Sequence, residues 1–228
     1  MATLSLVSFT NVREAHRPRG ACMAVECAFT LIELLIVVAI IAILALIAVP
    51  NLLEAQTRAK AARARADLRS LTTAIEAYHV DNRDYPLART FCAAFMDTMG
   101  DYNMCPQELT TPVAYITERP LDVFNPRHQY KYIAPGTGYA NYVQTILAIW
   151  VPRAFPEDTG WVDDVAYYER AKAPVLWALW SVGPYGAKPF YQSDAEHLPV
   201  PKRTWYDPTN GTASEGVIAR LSTGHVSP

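Results

Sequence analysis

Between Phe29 and Val49 the chain carries one run of apolar residues, interrupted only by Thr30 and Glu33. As an α-helix such a run rises about 1.5 Å per residue and spans about 31 Å, close to the hydrocarbon thickness of a bilayer. It is apolar all round rather than striped, so it needs an apolar environment on every side. No ordinary domain of this size shields a helix so completely, which favours a membrane-spanning segment over a buried core helix. A secretory signal is the other rival, but its apolar region is shorter and a small-residue cleavage site follows it. Here the run passes through Pro50-Asn51 into an amphipathic stretch, so the apolar helix is expected to be retained.

From Asn51 to about Val80 the pattern changes to one face of a helix. Ala61, Ala64, Leu68, Leu71, Ile75 and Tyr78 recur at spacings of three and four. Arg58, Lys60, Arg63, Arg65 and Arg69 take other faces, together with Glu54, Asp67 and Glu76. Pro50 removes a backbone donor and is expected to kink or loosen the junction with the apolar part. Asn82-Arg-Asp-Tyr-Pro86 ends the helix.

Beyond Pro86 the chain is rich in proline, tyrosine and tryptophan, and no repeat or low-complexity tract is found. Tyr130–Ala134, Asn141–Trp150 and Val175–Val182 read as strands or buried segments between loops. Leu109–Thr117 reads as a short helix, with Thr110 or Thr111 as N-cap and Pro112 in its first turn. The expected fold class is α+β: a long N-terminal helix, then a loop-rich head with a small antiparallel sheet.

Charge and chemistry narrow the function. A formal net charge of −2, from 20 basic and 22 acidic residues, supplies no excess of cations for neutralising phosphates, so no nucleic-acid partner is expected. The five histidines are scattered, without metal-ligand spacing, and no nucleophile elbow or phosphate-cradling loop occurs. Asp163-Asp164 reads as a helix cap or a solvated pair. An enzyme is therefore not expected. Cys22, Cys27, Cys92 and Cys105 form no Cys-x-x-Cys pair. If the later part is exported, Cys92 and Cys105 either form a disulfide or remain partly buried thiols.

The stretch Ala28-Phe-Thr-Leu-Ile-Glu-Leu-Leu-Ile-Val-Val-Ala-Ile-Ile-Ala-Ile-Leu-Ala-Leu-Ile-Ala-Val-Pro-Asn51 resembles the N-terminal signature of type IV pilins and type II secretion pseudopilins. The resemblance implies cleavage by a prepilin peptidase between Ala28 and Phe29, with methylation of the new amino terminus. This chain has Ala28 where the family usually has Gly, and Glu26 and Cys27 where basic residues are more usual. Three further stretches resemble the major pseudopilin, protein G: Leu53-Glu-Ala-Gln-Thr-Arg-Ala-Lys60, Asp67-Leu-Arg-Ser-Leu-Thr-Thr-Ala-Ile-Glu-Ala-Tyr78 and Asp81-Asn-Arg-Asp-Tyr-Pro86. Leu121-Asp-Val-Phe-Asn-Pro-Arg-His-Gln-Tyr-Lys-Tyr-Ile-Ala-Pro-Gly136 and Trp180-Ser-Val-Gly-Pro-Tyr-Gly186 are similar to two of its head motifs. The likeness is dense over residues 28–86 and patchy over 109–220, with 88–108 and 150–173 reading as insertions.

The physics of the apolar run fits that resemblance. An unpaired carboxylate deep in a membrane helix costs about 2.5–3.5 kcal/mol on insertion scales, and a nearby cation offsets that cost. Cleavage would create one on Phe29, so Glu33 of one subunit could pair with the Phe29 amine of a neighbour and set the axial register. Repeated head-to-tail, such contacts give an open helical polymer. Counting cations points the other way on topology: Arg13, Arg17 and Arg19 precede the helix, whereas Arg58, Lys60, Arg63, Arg65 and Arg69 follow it. The resemblance nevertheless implies a periplasmic head.

These readings divide the chain into a leader (1–28), a transmembrane and assembly helix (29–50, with Phe29, Glu33 and Pro50 in assembly roles), its amphipathic continuation (51–85) and a periplasmic head (86–228). The implied partners are identical subunits, the prepilin peptidase, other pseudopilins and an inner-membrane platform. The resemblance also implies a calcium site in the head loops, but Tyr185 and Val217 stand where relatives carry carboxylates. Asp207, Asn210 and Thr212 remain as oxygen donors that an Asn-Gly turn explains equally well, so no cofactor is expected. The alternatives are a type IV pilus subunit for adhesion, motility or DNA uptake, and a membrane-tethered periplasmic binding protein that does not polymerise.

Overall fold

The computed structural model describes residues 30–90, 103–157, 164–184, 200, 205–209 and 216–226. The chain divides into two compact units, Met1–Ala45 and Leu46–Pro228. One helix, α1 (Leu31–Asn82), begins in the first unit and continues into the second. Its residues in the first unit are exposed throughout, from Leu31 at 81 % onward. This is the one segment among the described residues that is long and apolar enough to cross a membrane. Pro50 lies inside α1 without interrupting it. A proline costs the helix one hydrogen bond, and here the loss does not end the element.

In the second unit α1 becomes one-sided, as the spacing predicts. Ala61, Ala64, Leu68, Leu71 and Ile75 are buried, with Ala74 added to their stripe, and Tyr78 is half-buried. Asn82 Nδ2 donates to Tyr78 O, and Arg83 N–H donates to His79 O. Arg83 then takes a positive φ of 55°, the left-handed turn that commonly closes a helix.

Ten short strands follow among the described residues: β1 (Ala88–Thr90), β2 (Leu121–Asp122), β3 (Asn125–Gln129), β4 (Lys131–Ile133), β5 (Gly136–Ala140), β6 (Val143–Leu147), β7 (Ile149–Pro152), β8 (Asp164–Tyr167), β9 (Ala178–Ser181) and β10 (Ile218–Leu221). They form two three-stranded sheets, β1-β5-β6 and β10-β9-β4, and two pairs, β2-β3 and β7-β8. The expected single small sheet is thus several. The pairings between these strands are antiparallel except β1 with β5, which run parallel.

The sheet β10-β9-β4 separates two apolar clusters. Leu179, Tyr132 and Ile218 face the cluster that contains the buried stripe of α1. Ala178, Trp180, Ile133 and Ala219 face a second cluster with Ile149, Val151 and Val175. A strand covered on both faces reads as a continuous apolar run rather than an alternation, which is why Val175–Val182 looks uniformly buried in the sequence. Trp177 and Trp180 are core residues.

The helix expected over Leu109–Thr117 is absent. A short 3-10 turn covers Gln107–Leu109, closed by Thr110 and Thr111 N–H groups donating to Gln107 O. Tyr115 and Ile116 N–H both donate to Leu109 O, so the chain loops back. Pro112 has no N–H with which to continue a helix from that turn. Arg89 and Glu108 pair through two hydrogen bonds of 2.8 and 2.5 Å, tying β1 to this turn.

Leu71 is fully buried in the stripe of α1. Leu71→Ala is expected to lower the unfolding free energy by about 2–5 kcal/mol, while Val80→Ala, at an exposed position of the same helix, changes it by under about 0.5 kcal/mol. Urea denaturation of the full chain in detergent micelles, followed by tryptophan fluorescence, measures both.

Candidate assembly site

The first turn of α1 is organised around Thr30 and Glu33. Glu33 N–H donates to Thr30 Oγ1 at 3.3 Å, and Thr30 N–H and Oγ1–H donate to Glu33 Oε2 at 2.8 and 2.7 Å. This reciprocal arrangement is a capping box, in which the N-cap side chain and the third helical residue each satisfy a backbone donor of the other. Thr30 joins the site only in the structure, although Thr-x-x-Glu before an apolar run is the sequence signature of such a cap. Both Thr30 bonds fall on Oε2, so Oε1 has no partner among the described residues. The carboxylate is therefore half satisfied within its own helix and open on its other oxygen. Ala28 and Phe29 lie outside the described residues, and Pro50 sits well along the same helix.

In the second unit, acidic residues of α1 lock the helix to segments that flank the strands. Asp67 accepts from Tyr130 Oη–H at 2.9 Å, and Glu76 accepts from Trp177 Nε1–H at 2.9 Å and Tyr85 Oη–H at 3.4 Å. Burial, reinforced by the Asp67 carboxylate, pushes the Tyr130 hydroxyl well above the ordinary phenol range. Tyr85 stacks on His79 with ring centroids 4.2 Å apart. Tyr132 Oη–H donates to Pro86 O at 3.0 Å.

A second lock lies among the strands. Asp122, 1 % exposed, accepts from Phe124 N–H and Ser181 Oγ–H on Oδ1 and from Val182 N–H on Oδ2, at 2.7–2.9 Å. Burial raises its carboxyl above the usual range, while these bonds and the Lys131 ammonium pull it back. This single side chain joins the β2-β3 pair to the end of β9. Gly183 follows at φ +74°, and a Cβ there would lie 2.1 Å from Gly216 O. Only glycine allows the two loops to approach so closely.

Of the residues weighed for calcium, Asp207 is the one that lies among the described residues. Asp207 Oδ1 accepts from the backbone N–H and hydroxyl of Thr209, which hold its carboxyl below the usual range. Asn210, Thr212 and Tyr185 lie outside the described residues. Among the described residues no group of three His, Cys, Asp or Glu could hold a metal ion. Cys105 is a free, buried thiol pushed up to about 12 by burial. Cys92, its suggested partner, lies outside the described residues.

A family profile described as "Prokaryotic N-terminal methylation motif" matches residues 23–49, and one described as "Type II secretion system (T2SS), protein G" matches residues 51–146. The type II secretion system core protein G of Pseudomonas aeruginosa is 33 % identical over 112 residues, which cover 49 % of this chain and 76 % of that protein. The chain belongs to the type II secretion protein G family. Protein G of Pectobacterium carotovorum subsp. carotovorum is 40 % identical over 74 residues, 32 % of this chain and 42 % of the relative. The type IV major pilin PilA of Myxococcus xanthus is 49 % identical over 57 residues, 25 % of this chain and 26 % of the pilin. No solved structure matches. The protein G profile begins just after Pro50 and ends within β6. It therefore covers the helix-to-sheet lock at Asp67 and Tyr130 and the acceptor Asp122, but not β9 and β10.

Asp122 gives this pseudopilin a pH dependence of definite sign. An acid raised by folding contributes stability that is fully present below its unfolded pKa, about 3.9, and lost as pH rises through its folded value. Denaturation midpoints taken upward from pH 4 should show wild type losing stability relative to Asp122→Asn. A constant difference across that range would contradict the assignment.

Proposed function

We propose that this pseudopilin is cut between Ala28 and Phe29, methylated at Phe29 and polymerised through residues 29–50 into a periplasmic type II secretion filament. The observation that carries the proposal is Glu33: an acid in the first turn of an uncovered apolar helix, with one oxygen capped by Thr30 and the other without a partner among the described residues. Within lipid that second oxygen lacks a counter-charge. In a polymer, the amine freed at Phe29 of the next copy would supply one, fixing the axial step between subunits. The apolar surface of residues 31–49 would pass from lipid to contacts with identical helices, which suits van der Waals packing of helix on helix.

The remaining partners follow from the same reading. A prepilin peptidase would make the cut, other pseudopilins and an inner-membrane platform would receive the subunit, and the head would stand in the periplasm on a single-pass anchor. The role is structural and the chain carries out no catalysis of its own. A type IV pilus subunit is the second reading, favoured by the match to the Myxococcus xanthus pilin. That match spans only 26 % of the pilin, whereas protein G of Pseudomonas aeruginosa is matched over 76 %, so secretion is preferred.

Mass spectrometry of the membrane-extracted protein should find a chain that begins at a methylated Phe29. An intact chain, or one cut after Pro50, would remove the filament reading. Cysteines placed at Ile36 and Ile43 should cross-link into ladders in cells that assemble the fibre; monomers alone would leave a tether that does not polymerise.

A further inference from the structure

The cations that follow the apolar helix have no role in the polymer contact just described, and their surroundings suggest one. Exposed Leu52 and Leu53 extend the apolar surface of α1 past Pro50. From Asn51 to Lys60 no residue of α1 is buried, and Ala61 is the first that the head covers. The helix therefore has a bare neck of about 15 Å at 1.5 Å per residue. Within and just above that neck stand Arg58, Lys60 and Arg63, against Glu54 as the sole acid from Asn51 to Arg63. Arg58 pairs with Glu54 at 2.5 Å and Arg63 lies 3.6 Å from Asp67, while Lys60 has no ion pair among the described residues.

We infer that Arg58, Lys60 and Arg63 form a collar that docks on the phosphate groups of anionic lipids at the bilayer surface beyond Leu53. The inference rests on the reading that the apolar helix sits in a bilayer. The headgroup layer on each side of the hydrocarbon is roughly 5–8 Å deep. Arg58 and Lys60 lie about 7.5 and 10 Å along the axis from Leu53, nearer the surface than Arg63 at about 15 Å. Helix side chains tilt toward the N-terminus, and long basic ones snorkel toward the interface, so both cations reach back to phosphate depth. At 3.6 residues per turn, Lys60 and Arg63 lie about 60° apart on one side of the axis and Arg58 lies on the other, so the cations face outward on two sides, which suits a two-dimensional lipid surface better than a single partner face. Such a collar would fix the depth of the span. It also accounts for an excess of cations on the side of the helix where simple charge counting does not expect the head.

The test uses the full chain in nanodiscs of mixed phosphatidylglycerol and phosphatidylcholine, with native mass spectrometry of the lipids retained on release. Wild type should retain phosphatidylglycerol preferentially, and added salt should weaken the preference. Lys60→Gln with Arg63→Gln should reduce it roughly fivefold per cation removed, and Lys60→Arg with Arg63→Lys should preserve it. Unchanged selection in the double variant overturns the collar, as does an equal loss in Lys172→Gln, which removes an exposed head cation. A double variant that keeps its lipid selection but fails to enter fibres assigns these cations to neighbouring subunits and likewise overturns it. A chain that does not enter the bilayer at all overturns the anchor and the collar together.

Discussion

An apolar helix with nothing covering it is the constraint on which the rest of this protein depends. From Leu31 to Leu53 the side chains of α1 are exposed and almost all apolar, a condition that water does not tolerate over such a length. Lipid satisfies it, and so, in the proposed filament, does the same helix of other subunits. The molecule is accordingly built in two manners along one helix, greasy on every side where it must enter such an environment and one-sided where it carries the head.

The head, in turn, is held to α1 by apolar burial and by hydrogen bonds at the edge of the buried stripe. Leu68, Leu71 and Ile75 provide the apolar contact with the β10-β9-β4 sheet. Asp67 and Glu76, on the flanks of that stripe, accept hydrogen bonds from Tyr130 and Trp177. A helix that slid or turned against the sheet would leave those acids and aromatic donors unpaired, at a cost of about 1–3 kcal/mol for each orphaned group. A force applied along this part of α1 is thus transmitted to the head through directional bonds as well as through packing.

Much of this is legible in the residues. The spacing of Ala61, Ala64, Leu68, Leu71 and Ile75 reveals the buried stripe because a helix imposes its period on one face. The apolar run 175–182 reads as a strand or buried segment, and part of it is β9, covered on both sides. What stays hidden are contacts set by the three-dimensional path of the chain. Glu76 meets Trp177 101 residues away, and Asp122 meets Ser181 59 residues away; neither pairing leaves a local pattern. The parallel contact of β1 with β5 involves three residues of β1, too few for a period of two to register. At the site itself, Glu33 is visible as the lone acid in an apolar run. Thr30 escapes a reading by hydropathy because its oxygen acts on the helix end, where a capping signature marks the position instead. The helix expected near Pro112 is replaced by a loop in which Tyr115 and Ile116 N–H turn back to Leu109 O, a path that capping residues do not announce.

The proposed assembly through the first turn of α1 rests on the charge of Glu33, rather than on its size or its hydrogen bond with Thr30. Glu33→Gln separates these, since it keeps the shape of the side chain and an oxygen for Thr30 but removes the negative charge. Fibres sheared from cells and collected by sedimentation, with total membrane-bound subunit measured in parallel, report incorporation directly. The expected result is a normal membrane level of the variant and at least a tenfold loss, equivalent to about 1.4 kcal/mol, from the fibre fraction. Incorporation equal to wild type at equal membrane levels would contradict the pairing of Glu33 with a neighbour's amine.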